Sequence, residues 1–121
     1  MLAMIDPQKA AKYFETKLEF TTGPRELYSL ITSNQNISII DVRNTIDYWK
    51  GHIPGAVSLP RKKWGTFKGL SRKGINVIYD YSEQCHLAMI ACKLFAEHGL
   101  YVQQLEGGFE AWRQHSLLIE K

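Results

Sequence analysis

Hydrophobic and polar positions along the chain follow two periods, one typical of buried strands and the other typical of amphipathic helices. Short apolar runs, rich in β-branched and aromatic residues, predict strands at 37–40, 56–59, 75–79 and 101–105. Apolar residues that recur every three or four positions predict helices at 7–18, from Pro24 onwards, and from about His86 to Gly99. Shorter helical segments are predicted at 45–50 and 109–114, and a short extended piece at 19–22.

The first predicted helix has a recognisable start and one apolar face. Asp6 is placed to act as its N-cap, and Pro7 fits its first turn. A single apolar stripe then contains Ala10, Ala11, Phe14 and Leu18. We expect helix 7–18 to dock on the domain through this stripe.

Strands that alternate with helices indicate an α/β fold, in which a parallel sheet is covered by helices on both faces. Ligands bind to such sheets at the carboxyl ends of the strands. Asp41 follows the first of these predicted strands, and Asp80 follows strand 75–79. We therefore expect a functional site near these two residues.

A short loop leads from the strand that ends at Tyr79 to the helix that begins near His86. Unpaired N–H groups at a helix start, with the positive end of the helix dipole behind them, attract anions and thiolates. The loop begins with Asp80 and ends with Cys85, which makes these two residues the first candidates for chemistry. The same argument predicts an anion-binding loop formed by Tyr81, Ser82, Glu83, Gln84 and His86.

Composition limits the range of protein classes. The chain has 121 residues, of which 45% are hydrophobic, so we expect one domain over 1–121 with a core of its own. No apolar run approaches the roughly 20 residues of a membrane helix, and the N-terminus does not resemble a signal peptide. Cys85 and Cys92 would lie about 10 Å apart on one helix, too far for a disulfide. A cytoplasmic protein with reduced thiols is expected.

The net charge of +3 is mild, but a cluster of basic residues lies between Arg61 and Lys73. This cluster is either a solvated loop or a rim that draws small anions or an acidic partner towards the site. No nucleic-acid-binding motif is present, so nucleic acid is not expected as a partner. The cysteines and histidines lack zinc-ligand spacing, and no phosphate or dinucleotide fingerprint occurs, so neither a metal nor a cofactor is expected.

Three linked motifs resemble the rhodanese domain family. Asp41-Val42-Arg43, then Asp47-Tyr48, then Gly51-His52-Ile53-Pro54-Gly55-Ala56 resemble its front half, and Leu105-Glu106-Gly107-Gly108 followed by Trp112 resembles its back end. The resemblance covers about 20–115, and helix 7–18 is an addition. It implies a parallel five-stranded sheet and a sulfurtransferase that carries sulfur on a catalytic cysteine directly after the central strand.

The residue at that catalytic position is Asp80, which is a departure from the family. A carboxylate cannot hold a sulfane sulfur, and its charge would repel thiosulfate. The loop also carries Glu83 and Cys85 where the common form has Gly and Arg, although Cys85-His86-Leu87-Ala88 is similar to a variant form with a second cysteine. Asp80 is then either a capping residue at a strand end or a built-in ligand of the anion site, where amides would favour its charged form.

The other candidate residues have structural and chemical interpretations. The helix start should help Cys85 to ionise, whereas Asp80 and Glu83 oppose this through like charge. Structural roles are expected for His52, as a packed turn residue, and for Asp41 and Arg43, as an ion pair; His86 and Cys92 are expected to be a polar helix-start residue and a small buried residue. Trp64 and Phe67 either line a pocket or belong to the core.

These observations lead to one preferred function and two alternatives. The preferred hypothesis is a rhodanese-like domain whose sulfurtransferase activity is lost or greatly reduced, which leaves an anion-binding or regulatory module. The first alternative is an active sulfurtransferase that relays sulfur through Cys85. A phosphatase of the same fold is less favoured, because it too needs a cysteine at position 80 and an arginine closing the loop. The expected partner is a small sulfur-containing anion or a thiol or persulfide carrier protein.

Overall fold

The computed structural model describes residues 4–121, which form a sheet and helices in regular alternation. Its strands are β1 (Thr21–Thr22), β2 (Ile37–Asp41), β3 (Val57–Ser58), β4 (Ile75–Tyr79) and β5 (Val102–Leu105). Its α-helices are α1 (Pro7–Phe20), α2 (Pro24–Thr32), α3 (Thr45–Lys50), α4 (Leu87–Glu97) and α5 (Gly108–Gln114). A 3₁₀ helix occupies Arg61–Thr66.

The five strands form one parallel sheet in the order β1-β5-β4-β2-β3, with β4 at its centre. Ile78 of β4 lies opposite Ile40 of β2 and Gln104 of β5. Crossover connections through helices are required between parallel strands, and these helices cover both faces of the sheet. The predicted fold class is therefore confirmed.

Successive residues of β2 and β4 point to opposite faces, so the sheet divides the core into two clusters. On one face, Ile40 and Ile78 pack against α4 and the 3₁₀ helix through Ala88, Phe95 and Trp64. On the other face, the buried cluster is formed by Leu27, Ile39, Ile53, Ala56, Val77, Tyr79, Leu105 and Trp112. The carboxyl-terminal half of β4 is thus packed on both faces of the sheet, which holds the loop that follows it in place.

The predicted elements agree closely with the structure in the centre of the chain and less well at its edges. The strand at 75–79 is confirmed at both ends, and α4 begins one residue after its N-cap, His86. The basic segment, predicted as a loop, contains the 3₁₀ helix, whose Trp64 is 5% exposed and donates its indole N–H to the carbonyl oxygen of Leu59 over 2.9 Å. Trp64 is therefore a core residue, and Phe67 packs against the same cluster.

The first helix contacts β5 at its C-terminal end, but the prediction that it docks through its apolar stripe is wrong. Asp6 caps α1 as expected by accepting from the amide of Gln8 over 2.9 Å, and the helix extends to Phe20. However, α1 buries none of its residues, and Phe14 and Leu18 of the predicted stripe are exposed. The apolar stripe correctly indicated a helix, but residues 4–121 provide no surface that covers the stripe.

No helix in the described range 4–121 is long and apolar enough to cross a membrane. Near the end of the chain, Glu120 and His52 exchange backbone hydrogen bonds of 2.8 and 2.9 Å in an antiparallel bridge. The ring of His52 stacks on Tyr48, and its Nδ1 lies 2.9 Å from the carbonyl oxygen of that residue. His52 is thus a packed turn residue, as expected.

Candidate functional site

The carboxyl ends of β2 and β4 bring Asp41 and Asp80 to one edge of the sheet, as predicted. Asp41 is fully buried and forms an ion pair with Arg43, with 2.7 Å between Oδ2 and Nη2. Arg43 also donates to the carbonyl oxygen of Gly51 over 2.7 Å, and Tyr79 donates its hydroxyl to Asp41 over 2.6 Å. This network fixes the loop after β2, which is the structural role expected for Asp41 and Arg43.

Asp80 directly follows the central strand and is 1% exposed. Its Oδ2 accepts a hydrogen bond of 2.8 Å from the amide of Ala88, in the first turn of α4. The amide of Ser82 and the thiol of Cys85 are donors that lie near this carboxylate and favour its charged form. The carboxylate therefore caps α4 and fills the space that these donors surround.

Burial raises the pKa of Asp80 above its ordinary value. The donor groups of Ala88, Cys85 and Ser82 oppose this shift but do not cancel it. Taking a carboxylate out of water disfavours its charged form, and the few donors here compensate only in part. The expectation that the loop would favour the charged form of Asp80 is therefore wrong in its net direction.

Gly108, the first residue of α5, closes the site from the opposite side. Its φ of +59° lies in the left-handed region, and a Cβ there would lie 2.7 Å from the carbonyl oxygen of Asp80 and 2.9 Å from its Oδ1. The next two amides, of Phe109 and Glu110, donate to the carbonyl oxygens of Asp80 and Tyr81 over 2.8 and 2.9 Å. Glycine at position 108 thus lets α5 pack directly on the loop.

The remaining loop residues point in different directions. Tyr81 donates its hydroxyl to Asp47 over 2.5 Å, and the same oxygen accepts from the amide of Asn44 over 3.1 Å. Of the predicted site residues, Ser82 and Cys85 lie near Asp80. Glu83, Gln84 and His86 of the predicted anion-binding loop face solvent instead. His86 serves as the N-cap residue of α4 without a capping bond from its side chain.

The two cysteines are free and have different surroundings. Cys85 is partly buried at the end of the loop, where its amide donates to the carbonyl oxygen of Ser82 over 3.1 Å. Cys92 packs against the core on α4, and burial together with the nearby charge of Asp80 raises its pKa to about 12. A thiol with so high a pKa is not a nucleophile at neutral pH.

An open groove of about 750 Å³ lies beside the loop rather than over Asp80. Tyr81, Ser82 and Phe109 contribute to its wall, and the guanidinium carbon of Arg43 lies 4.1 Å from the centre of the Phe109 ring. Its other charged lining residues are Asp47, Lys50, Glu110, Arg113 and Lys121. None of the basic residues between 61 and 73 lines this groove, so that cluster does not form its rim.

Sequence reasoning missed the contributions of Phe109, Arg113 and Lys121 to this groove. Gly107-Gly108 was the available signal, because a pair of glycines before a short helix indicates close backbone approach. Among residues 4–121, no group of three histidine, cysteine or acidic side chains is arranged to hold a metal ion.

Comparisons with other proteins identify relatives of this chain. A family model described as "Rhodanese-like domain" matches residues 23–115. The chain is 30% identical over 88 residues to a probable molybdopterin-synthase adenylyltransferase from Pyropia yezoensis, covering 69% of this chain and 22% of that protein. It is 28% identical over 86 residues to an HTH-type transcriptional regulator from Mycobacterium tuberculosis, covering 70% and 38%. The chain thus spans well under half the length of these curated relatives.

Solved structures share the fold over nearly the whole chain. A protein from Bacillus halodurans superposes with a TM-score of 0.87 at 32% identity, covering 95% of this chain and 86% of that chain. A protein from Lactobacillus plantarum gives 0.84 at 24% identity, covering 96% and 99%. A thiosulfate sulfurtransferase from Pseudomonas aeruginosa gives 0.72 at 16% identity, covering 88% and 21%, which shows likeness of fold alone.

Proposed function

The chain belongs to the rhodanese-like domain family, and from this premise we propose that it is a binding module that has lost most or all of the family's sulfurtransferase activity. The single observation that carries the proposal is the position of Asp80. Its buried carboxylate accepts from the amide of Ala88 at the start of α4, directly after the central strand.

The chemistry of sulfur transfer explains why this position matters. A cysteine thiolate attacks the outer sulfur of thiosulfate, sulfite leaves with the bonding electron pair, and the enzyme retains a persulfide. A carboxylate offers no sulfur atom with which to form that bond. When charged, Asp80 would also repel an incoming anion at about 5 Å by on the order of 3 kcal/mol at an effective dielectric constant near 20.

The groove beside the loop supplies the binding surface of the proposed module. Lys50, Arg113 and Lys121 line it and are exposed, whereas the charge of Arg43 is already paired with Asp41. We infer an anionic partner, either a small sulfur-containing anion or a thiol or persulfide carrier protein that presents acidic groups.

The relative described as a transcriptional regulator supports a regulatory role. The free thiols of Cys85 and Cys92 support a cytoplasmic location.

The test is a thiosulfate and cyanide assay, in which a sulfurtransferase produces thiocyanate. We expect no useful turnover by the unmodified chain and a clear gain by Asp80→Cys, since the fold around the loop is that of the family. Asp80→Ser is the matched control, because it has the same shape as cysteine but no sulfur. Robust turnover by the unmodified chain that survives Cys85→Ser would overturn the proposal.

Sulfur relay through Cys85 is the second candidate function, and one observation favours it. The thiol of Cys85 lies near enough to the buried carboxylate of Asp80 to favour the charged form of that carboxylate, so a proton acceptor lies near a partly buried thiol. Such proximity of a base to a thiol is one way in which proteins activate a nucleophile.

Alkylation with iodoacetamide near neutral pH tests this candidate. We expect Cys85 to be labelled first and Cys92 to be labelled only after unfolding, because the raised pKa of Cys92 keeps it protonated. Mass spectrometry of the labelled peptides separates the two residues. Equal and slow labelling of both would remove the sulfur-relay candidate.

A further inference from the structure

Helix α1 carries large apolar side chains that the other described residues leave uncovered. None of its residues is buried, and Phe14 and Leu18 are 57% and 77% exposed. The exposed large apolar side chains in this part of the chain are Met4, Ile5, Tyr13, Phe14, Leu18 and Phe20. A monomeric protein rarely exposes so many contiguous apolar groups, and such patches mark interaction sites.

The patch has one main face and is tied to the sheet at one end. At 100° per residue, Pro7, Ala10, Phe14 and Leu18 share one side of α1, Tyr13 and Phe20 lie along one flank of that side, and Thr16 lies opposite Phe14. The rings of Tyr13 and Phe14 already pack edge to face with their centres 5.1 Å apart. At the other end of the helix, the side chain amide of Gln103 donates to the carbonyl oxygen of Glu19 over 2.9 Å, which ties α1 to the sheet.

We propose that α1 is a dimerisation element and that its apolar face is covered by α1 of a second copy of this chain. Each of the six exposed apolar side chains offers on the order of 100 Å², because an aromatic side chain buries about 150–250 Å² in full. The patch therefore amounts to about 600 Å² per protomer before its polar border is counted. Stable interfaces bury about 600–1,000 Å² per partner, so the patch reaches the lower end of the size that a dimer needs.

The charges of this segment favour a second copy over other occupants. Three basic side chains are balanced by three acidic ones, namely Lys9, Lys12 and Lys17 against Asp6, Glu15 and Glu19. Helices that bind anionic lipid surfaces carry an excess of lysine and arginine on the polar face. A neutral border around an apolar stripe suits contact between identical helices, since neither copy repels the other. This inference is independent of the proposed function of the loop.

The mass of the full chain in solution tests the proposal, measured by light scattering after size exclusion. We expect a dimer for the unmodified chain and a monomer for Phe14→Glu, which buries a charge in the proposed interface. Thr16→Glu is the matched control on the opposite side of the same helix and should remain a dimer. Because α1 buries nothing within the protomer, circular dichroism should show that both variants keep the fold.

A monomeric unmodified chain at roughly 0.1 mM would overturn the proposal, since it would place the dissociation constant above that value. Binding of this monomer to vesicles of anionic lipid would point to a membrane as the occupant instead. An isologous contact places the middle of the helix beside its own copy whether the helices run parallel or antiparallel. Phe14→Cys should therefore form an intermolecular disulfide between its two introduced thiols, and Thr16→Cys should not. Equal cross-linking of the two variants would also contradict the proposal.

Discussion

At the scale of single residues, two opposing effects determine the pKa of Asp80. Hydrogen bonds to a charged group each contribute about 1.5–3 kcal/mol, which stabilises the carboxylate. Removing an ionised group from water costs more than a few such bonds return. Burial therefore prevails, and the pKa of Asp80 is raised. Burial of this carboxyl lowers the stability of the folded state at neutral pH, so stability does not explain why an aspartate occupies position 80.

This balance predicts how the stability of the protein depends on pH. Because the folded state raises the pKa of Asp80, its contribution to stability is fully present below about pH 4, the ordinary value of an unfolded aspartate, and is lost as the pH rises through the folded value. Asp80→Asn keeps an acceptor for the amide of Ala88 but cannot become charged. We expect Asp80→Asn to be more stable than the unmodified chain at pH 7, by on the order of 1 kcal/mol.

Urea unfolding at several pH values measures this difference directly. The gain from Asp80→Asn should shrink as the pH falls through the folded pKa of Asp80 and be gone below about 4, where the carboxyl is neutral in both states. Asp6→Asn is the control, because it removes an exposed carboxylate while keeping a capping side chain on α1. A stability gain that is the same at pH 3.5 and pH 7 would show that the charge of Asp80 is not its cause.

At the scale of elements, the contact between α5 and the loop depends on Gly108. A methyl group there would meet the backbone of Asp80 and of Ser82 at 2.7 and 2.8 Å. We expect Gly108→Ala to destabilise the protein by about 2–3 kcal/mol, since it combines left-handed strain with overpacking. Gly55→Ala is the control, because Gly55 also has a positive φ but no atom within 4 Å of the added methyl group.

The two glycine variants are compared by thermal unfolding. Gly55→Ala should cost only the backbone strain of about 1–2 kcal/mol, and Gly108→Ala should cost more. Gly108→Ala should also change the environment of Tyr81, whose carbonyl oxygen accepts from α5. Equal losses in the two variants would mean that the loop yields freely and that α5 does not hold Asp80 in place.

Elements of the fold differ in how far the sequence determines them. Strand β4 was predictable at both ends, because its short run of mostly apolar residues reflects burial on both faces of the sheet. The 3₁₀ helix was not predicted, because the charged side chains around Trp64 are typical of a solvated loop. The turn depends on burial of the indole, which tertiary packing determines. For α1, the apolar stripe indicated a helix but carried no information on what would cover it.

At the scale of the whole molecule, the order of the strands brings together residues that are far apart in sequence. Gly108 approaches Asp80, and Arg43 lies over the ring of Phe109, because β4 lies between β2 and β5. The sequence predicted that Asp41 and Asp80 share one edge, which follows from parallel strands alone. It did not predict that the groove opens beside the loop, because the position of Phe109 depends on how α5 packs. It also gave the wrong net direction for the pKa of Asp80, because burial depends on tertiary packing.

The most direct measurement of the central claim is the intact mass of the protein after incubation with thiosulfate. A persulfide adds the mass of one sulfur atom, and cyanide removes that sulfur as thiocyanate. We expect the unmodified chain to keep its mass and Asp80→Cys to gain one sulfur atom that cyanide removes. A gain of one cyanide-labile sulfur by the unmodified chain, located on Cys85 and abolished by Cys85→Ser, would contradict the claim that Asp80 has silenced sulfur transfer.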